Sequence, residues 1–93
     1  MVRKITRMAC DAFDNGYNMS LSNTNVSKGS LYLHGHEIAR HNESGQTEIN
    51  LCGWNTPTTR ERLNGLNGVS VCQKDFTPYL NGKAIDSNSW YTV

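Results

Sequence analysis

The first part of the chain has the apolar spacing of an amphipathic helix. Apolar residues recur every three or four positions, and charged residues occupy the other side. Asn15 and Gly16 follow, and this pair favours the left-handed conformation that ends many helices. The pattern therefore predicts a helix over residues 3–15 with one face packed on an apolar surface. The stripe consists of Ile5, Met8, Ala9, Ala12 and Phe13.

Much of the remaining chain alternates between apolar and polar positions, which is typical of strands with one buried face. Two segments have the pattern of β-hairpins, with His34-Gly35 and Asn81-Gly82 as their turns. Asn-Gly favours a two-residue hairpin because both turn residues need positive φ. The predicted strands are 17–26 (irregular and at an edge), 30–33, 36–40, 47–52, 69–73, 78–80, 83–85 and 89–93.

The two hairpins share the pattern Tyr-Leu-x-Gly-x-x-Ile, at residues 32–38 and 79–85. A duplication would produce this similarity. Convergence on one turn chemistry would produce it equally well, so both explanations stay open.

Residues 53–64 divide the two hairpins and carry the start signals of a helix. The Thr56 hydroxyl can accept a hydrogen bond from an unpaired amide, and Pro57 suits the first helical position. Thr58 with Glu61 offers a second capping frame, so the two possible starts differ by about two residues. Gly65 and Gly68 are stop signals, so we expect a short helix of roughly two to three turns.

Length and element order predict one small α+β domain over residues 1–93. A chain of this size supports a single thin core. Short connections favour an antiparallel meander of hairpins over parallel crossovers. We expect one twisted antiparallel sheet packed against the N-terminal helix, together with the short central helix.

Charge and cysteine usage narrow the functional classes. The formal net charge is +1, from 9 basic and 8 acidic residues, which is typical neither of a strongly basic nucleic-acid binder nor of an acidic DNA mimic. The N-terminus leads into no apolar run, and we expect neither a leader nor a membrane segment. Cys10, Cys52 and Cys72 are widely spaced, so we expect free thiols in a reducing compartment, each buried in the core.

The histidines and cysteines raise the possibilities of a metal site and of nucleophilic catalysis, but the sequence lacks the other residues that each would need. His34 lies in the predicted turn and His36 follows it, and with His41 they lack a CxxC pair or carboxylate to finish a metal site. Cys52 with His36 or His41 would suit nucleophilic catalysis, but no glycine-rich elbow presents the thiol. The sequence therefore predicts no metal, no cofactor and no enzymatic activity.

The central helix is the best candidate for a binding site. Its N-terminus favours anions, and arginine binds phosphate or carboxylate through two nitrogens. Trp54, Tyr32 and Tyr79 offer stacking surfaces of the kind that single-stranded nucleic acids use. The candidate site residues are Trp54, Asn55, Thr58, Thr59, Arg60, Arg62 and Asn64.

A purely structural role for this helix is the competing interpretation. Leu63 and Leu66 would anchor it, Trp54 would lie in the core, and Arg60 and Arg62 would form a solvated face. A binding role predicts instead that one or both guanidinium groups are exposed.

Four segments carry a resemblance: SNTNV at 22–26, LYLHGHEIA at 31–39, GWNTPTTRERLN at 53–64 and YLNGK at 79–83. Together they resemble a family of small uncharacterised proteins encoded by tailed bacteriophages. The core W-N-T-x-T-T-R-E-R-L is the most specific part. The resemblance implies phage origin and action in the cytoplasm of the infected bacterium, and it implies no catalytic residue or cofactor.

Two functions follow from these observations. The first is a non-enzymatic phage accessory protein that binds a macromolecule, a host or defence protein, in the infected cell. The alternative is a nucleic-acid-binding module that uses Arg60, Arg62 and exposed aromatic residues. Basic residues beside an exposed Trp or Tyr would favour nucleic acid, whereas a contiguous uncharged apolar patch would favour a protein partner or self-association.

Overall fold

The structure, a computed structural model, describes residues 4–93, and within them it has two helices and nine strands. The prediction for Arg3 as the first helical residue, and part of the prediction that no leader is present, lie outside the described residues. Neither helix in the described range has the length and apolarity that a membrane span requires. The elements are α1 (Lys4–Asn15), β1 (Met19–Leu21), β2 (Thr24–Ser27), β3 (Ser30–Leu33), β4 (His36–His41), β5 (Thr47–Ile49), α2 (Pro57–Asn64), β6 (Val71–Lys74), β7 (Thr77–Leu80), β8 (Lys83–Ala84) and β9 (Tyr91–Thr92).

The predicted α+β class is confirmed, with antiparallel strands, an N-terminal helix and a short central helix. The strands form two sheets instead of the single sheet expected. One sheet has the order β1-β2-β3-β4-β5-β9, and the other has the order β6-β7-β8. Because α2 and its flanking loops separate β5 from β6, the meander stops there and a second hairpin sheet begins. Each sheet contains one of the two predicted hairpins.

Residues 17–26 form a hairpin, and the prediction of a single edge strand there is wrong. Met19 pairs with Val26 and Leu21 pairs with Thr24, so β1 and β2 are antiparallel neighbours. Ser22 has φ 55 at the reversal. The turn has no glycine to mark it, and the alternation around it is weak, so the pattern hides the change of direction.

A β-bulge in β4 places two consecutive side chains in the core. Leu31 pairs with Ala39 and Tyr32 pairs with Glu37, so Ile38 is an extra residue between the two pairs. In a bulge two residues of one strand oppose one residue of the other, which interrupts the usual alternation of faces. Ile38 and Ala39 are both buried as a result.

The buried face of α1 is rotated from the predicted stripe. Thr6 is fully buried, whereas Met8 is 42% exposed and Ile5 is half-buried. The reason is that α2 also packs on α1, where Arg62 bonds to both Thr6 and Cys10. The predicted members Ala9, Ala12 and Phe13 are buried.

The predicted start of α2 is confirmed. Thr56 has extended backbone, and its Oγ1 accepts a hydrogen bond from the Thr59 amide at 3.2 Å. Pro57 is the first helical residue. Leu63 and Leu66 are buried, so they anchor the helix as expected.

Gly65 ends α2, but its conformation is not left-handed (φ −80). Because it has no side chain, Gly65 allows the two helices to approach each other closely. A Cβ at this position would lie 2.7 Å from Cys10 Sγ and 2.8 Å from Thr6 Cγ2. Real side chains do not tolerate such distances, so the absence of a side chain at Gly65 sets the spacing of α1 and α2.

We expect Gly65→Ala to lower the free energy of unfolding by about 1–3 kcal/mol, because the added methyl group overpacks this contact. Urea denaturation measures the change. A Thr6→Ser/Cys10→Ala background removes both opposing atoms and keeps the hydroxyl of residue 6, so the same glycine substitution should cost less there. Equal costs in the two backgrounds would contradict the close-approach explanation.

Candidate functional site

A left-handed turn after β5 brings Trp54 to the surface. Cys52 and Gly53 have φ 55 and 77, and the Trp54 amide donates to Leu51 O at 2.9 Å. Asn50 Oδ1 accepts a hydrogen bond from the Cys52 amide at 2.8 Å and so stabilises the turn. Trp54 is 56% exposed. The alternative that placed this ring in the core is therefore wrong.

An open groove lies between Trp54, the start of α2 and the β3–β4 hairpin, with a volume of about 430 Å³. We call it the Trp54 groove. The buried residues Leu33, Ile38 and Leu51 give it an apolar floor, and the bulge in β4 supplies the second of these. The remaining lining residues are Trp54, His34, His36, Thr56, Thr58 and Thr59. Among the described residues that line it, none is an Asp, Glu, Lys or Arg.

The β3–β4 turn forms one wall of the groove through His34 and the neighbouring His36. The ring centroids of His36 and Trp54 lie 6.1 Å apart with a tilt of 38°. His34 has φ 52 in the turn, and both histidines are exposed. The sequence gives no signal for this wall, because two strands, β4 and β5, and their loops separate the turn from Trp54.

His41 lies apart from the other two histidines. Its ring stacks on Phe13 with centroids 4.1 Å apart, and its Nε2 is 3.1 Å from Phe13 O. Across residues 4–93, no group of three or more His, Cys, Asp or Glu side chains is arranged to hold a metal ion.

Arg62 lies inside the protein. It is 2% exposed, its Nε donates to Thr24 Oγ1 at 3.0 Å, and its Nη1 donates to Thr6 Oγ1 at 2.7 Å. Nη1 also forms an ion pair with Glu61, which accepts a hydrogen bond from the Thr6 hydroxyl as well. The expectation of a solvated or exposed guanidinium is therefore wrong for Arg62. Its partners come from α1, α2 and β2.

Arg60 is half-buried and joins the segment after Trp54 to β6. Its Nη1 donates to Asn55 O at 3.1 Å, to Asn55 Oδ1 at 2.7 Å and to Gln73 Oε1 at 3.2 Å. Asn55 Nδ2 also donates to Gln73 Oε1, at 2.8 Å. These bonds fix the backbone beside Trp54, so Arg60 and Asn55 support the groove from behind.

Two other candidate residues have internal contacts. Thr59 is buried at the helix start beside Thr56. The Asn64 side chain bonds to the backbone of Val71 in both directions, from Nδ2 to Val71 O at 2.8 Å and from the Val71 amide to Oδ1. Asn64 thereby attaches the first residue of β6 to α2.

The structure thus divides the seven candidate residues into two sets. Trp54, Thr58 and Thr59 line the groove. Asn55, Arg60, Arg62 and Asn64 lie outside its lining and bond to other parts of the protein. The remaining lining residues are not among the predicted candidates; they are Leu33, His34, His36, Ile38, Leu51 and Thr56.

Cys10 is a buried thiol between the two helices. Burial raises the pKa of Cys10 to about 12, and the negative charges of Asp14 and Glu61 act in the same direction. Its Sγ donates to Arg62 O at 3.1 Å. The thiolate form that reacts with electrophiles is therefore strongly disfavoured.

The other two cysteines are more accessible. Cys52 is half-buried and donates to Glu37 O at 2.9 Å, and burial raises its pKa. Among the described residues, no hydrogen bond joins Cys52 to His36 or His41. Cys72 is exposed, so the prediction that all three cysteines are buried is wrong.

A protein-family model matches nearly the whole chain. The family model described as Kyanoviridae Gp96 protein, which represents a phage protein family, matches residues 2–92. No curated protein and no solved structure matches the chain. The predicted resemblance to a phage protein family is confirmed, and the role of the W-N-T-x-T-T-R-E-R-L segment as its most specific part stays a prediction.

We expect Arg62→Ala to lower the free energy of unfolding by about 3–5 kcal/mol, because it leaves buried polar partners unpaired. Arg60→Ala should cost about 1 kcal/mol, since its hydrogen bonds lie nearer to solvent. Urea denaturation of both variants makes the comparison. Arg62→Lys keeps the charge but loses the planar fork, and it should recover part of the loss. Equal, small losses for Arg60→Ala and Arg62→Ala would contradict the structural role of Arg62.

We also expect the thiols to differ in alkylation by iodoacetamide in the folded protein. Cys72 should react first, Cys52 more slowly, and Cys10 only on unfolding, because burial disfavours the thiolate. Peptide mass spectrometry over time measures each rate. Denatured protein, in which the three rates should converge, is the control. Native labelling of Cys10 as fast as that of Cys72 would contradict the packing of α1 on α2.

Proposed function

Because this chain belongs to the Kyanoviridae Gp96 protein family, we propose that it is a phage accessory protein without a catalytic role. It acts in the cytoplasm of the infected cell and binds a protein of the host or of a defence system. The binding surface is the Trp54 groove.

The chemistry of the groove supports a protein partner. Its floor is apolar, the described residues that line it include no formally charged side chain, and the indole of Trp54 is half-exposed at its edge. Tryptophan is enriched among the residues that contribute most to protein interfaces, and it does so where it meets a desolvated pocket. An apolar floor inside a polar rim is the usual organisation of such interfaces. This contiguous uncharged surface is the observation that carries the proposal.

The hydrogen bonds of Arg60 are a second argument for the Trp54 groove as the binding surface. Arg60, Asn55 and Gln73 hold the segment that presents Trp54. A ring on a fixed backbone loses less conformational freedom when a partner binds it, which favours affinity. Arg60 therefore has a positioning role in this proposal.

Nucleic-acid binding is the second candidate function. It uses Arg60, Arg62 and exposed aromatic residues, and Trp54 offers a stacking surface. It has less support, because Arg62 is buried and Arg60 already donates to Asn55 and Gln73. The formal net charge of +1 supplies little general attraction to phosphate.

Affinity capture from infected cells, with nuclease treatment and mass spectrometry, tests the proposal. Thr58→Trp should fill the groove from its rim, and Trp54→Ala should remove its exposed ring. Each substitution should lower recovery of the partner by about tenfold or more, as expected for the centre of an interface. The matched control is Met8→Ala, which removes an exposed apolar side chain on α1 and should leave recovery unchanged.

The salt dependence of binding separates the two candidate functions. A protein interface in the groove should weaken little with added salt, and it should survive nuclease treatment. Steep log-linear weakening, with loss of capture after nuclease treatment, would favour nucleic acid instead. Full recovery of the partner by both groove variants, at unchanged melting temperature, would remove the groove as the binding surface.

A further inference from the structure

The β6–β7 turn has an aromatic residue where its backbone favours glycine. Asp75 and Phe76 have φ 51 and 66, and they form a two-residue turn between the paired residues Lys74 and Thr77. Turns with two positive φ angles favour Asn-Gly or Asp-Gly, because a side chain at the second position is sterically strained. Phe76 is therefore held in a conformation that is unusual for a bulky residue.

Other turns of the same protein provide an internal comparison. Across residues 4–93, three other two-residue turns between strands have positive φ at both positions. Each has glycine second: Lys28-Gly29, His34-Gly35 and Asn81-Gly82. The chain departs from this rule at Phe76.

Packing within the monomer does not offset the strain at Phe76. Its side chain is 91% exposed, the largest exposure among the large apolar residues in the described part of the chain. Lys74 and Asp75 beside it carry opposite charges, so the turn presents an apolar ring without a net charge. Strained positions of this kind are concentrated at functional sites, so Phe76 is a candidate for contact with another molecule.

We infer that Phe76 of one copy inserts into the Trp54 groove of a second copy. The inference rests on the proposed function in using the same groove, and it names the ligand class as an aromatic side chain at the tip of a hairpin. The groove volume of about 430 Å³ accommodates a phenyl ring, and its floor of Leu33, Ile38 and Leu51 is apolar. Phe76 does not line the groove of its own chain.

Charge also permits this contact. With a formal net charge of +1, two copies repel each other weakly. Asp75 precedes Phe76, so its carboxylate would lie near His34 and His36 at the rim of the second copy's groove. Ring and groove are different surfaces of one chain, so a single insertion is a heterologous contact, and two reciprocal insertions close a dimer.

Sedimentation velocity of the full chain, up to millimolar concentration, tests the inference. The wild-type protein should associate with increasing concentration. Phe76→Gly, which removes the ring, and Thr58→Trp, which fills the groove, should each raise the dissociation constant by about tenfold or more. Leu21→Ala is the matched control, because it removes a 43% exposed side chain from edge strand β1 and should associate like the wild type.

Mixing the two variants gives the sharpest result. Phe76→Gly keeps an intact groove and Thr58→Trp keeps an intact ring, so an equimolar mixture should form a heterocomplex that neither variant forms alone. Association of Phe76→Gly at the wild-type level, or a mixture that stays monomeric, would overturn the inference. So would a wild-type chain that is monomeric at every concentration.

Stability and partner capture complete the test. Phe76→Gly should raise the melting temperature, because glycine relieves the strained turn. Asparagine also tolerates positive φ, so Phe76→Asn is a second variant without the ring, and it should likewise lose association. Phe76→Gly should still capture the cellular partner, since its groove is intact. A monomeric wild type whose capture depends on the groove refutes the inference alone. Self-association as described, with capture independent of the groove, refutes the proposed function alone.

Discussion

The buried guanidinium of Arg62 is the interaction on which the rest of the structure depends. A charge removed from water must be paired, and the partners here are hydroxyls of α1 and β2 and the carboxylate of Glu61. Satisfying them fixes α2 against both the N-terminal helix and the larger sheet. Gly65 then allows the two helices to approach closely at the end of α2. One polar cluster and one missing side chain thus set the position of the central helix.

This arrangement moves the candidate site from the exposed face of a helix to a groove beside its start. Once α2 is fixed, Thr56 and Thr58 face the β3–β4 hairpin across an apolar floor. Arg60 acts from the other side by holding the segment that presents Trp54. The basic residues that suggested phosphate binding therefore support the fold and the groove. The described residues that line the groove carry no formal charge.

The rules of local structure are broken in few places, and those places are informative. Trp54 is exposed beside a left-handed turn, and Phe76 occupies a turn position that glycine fills in comparable hairpins of the chain. Both aromatic side chains are exposed and lie outside the core of the monomer. Positions where local preference and observed structure disagree are often functional, which is why the groove and the hairpin tip carry the two proposals.

The sequence by itself determined the features that depend on neighbouring residues. Thr56-Pro57 starts α2, Asn15-Gly16 ends α1, and His34-Gly35 and Asn81-Gly82 form hairpin turns, because backbone conformation and capping act over a few positions. Only the tertiary structure decided the burial of Arg62, the wall that His34 and His36 give to the groove, and the division into two sheets. Arg62 lies 38 residues from Thr24 and 56 residues from Thr6, and no local pattern encodes such a contact. From the sequence, an arginine beside a glutamate is expected to be a solvated ion pair. In the folded protein the hydroxyls of Thr6 and Thr24 bind Arg62, and its side chain is buried away from water.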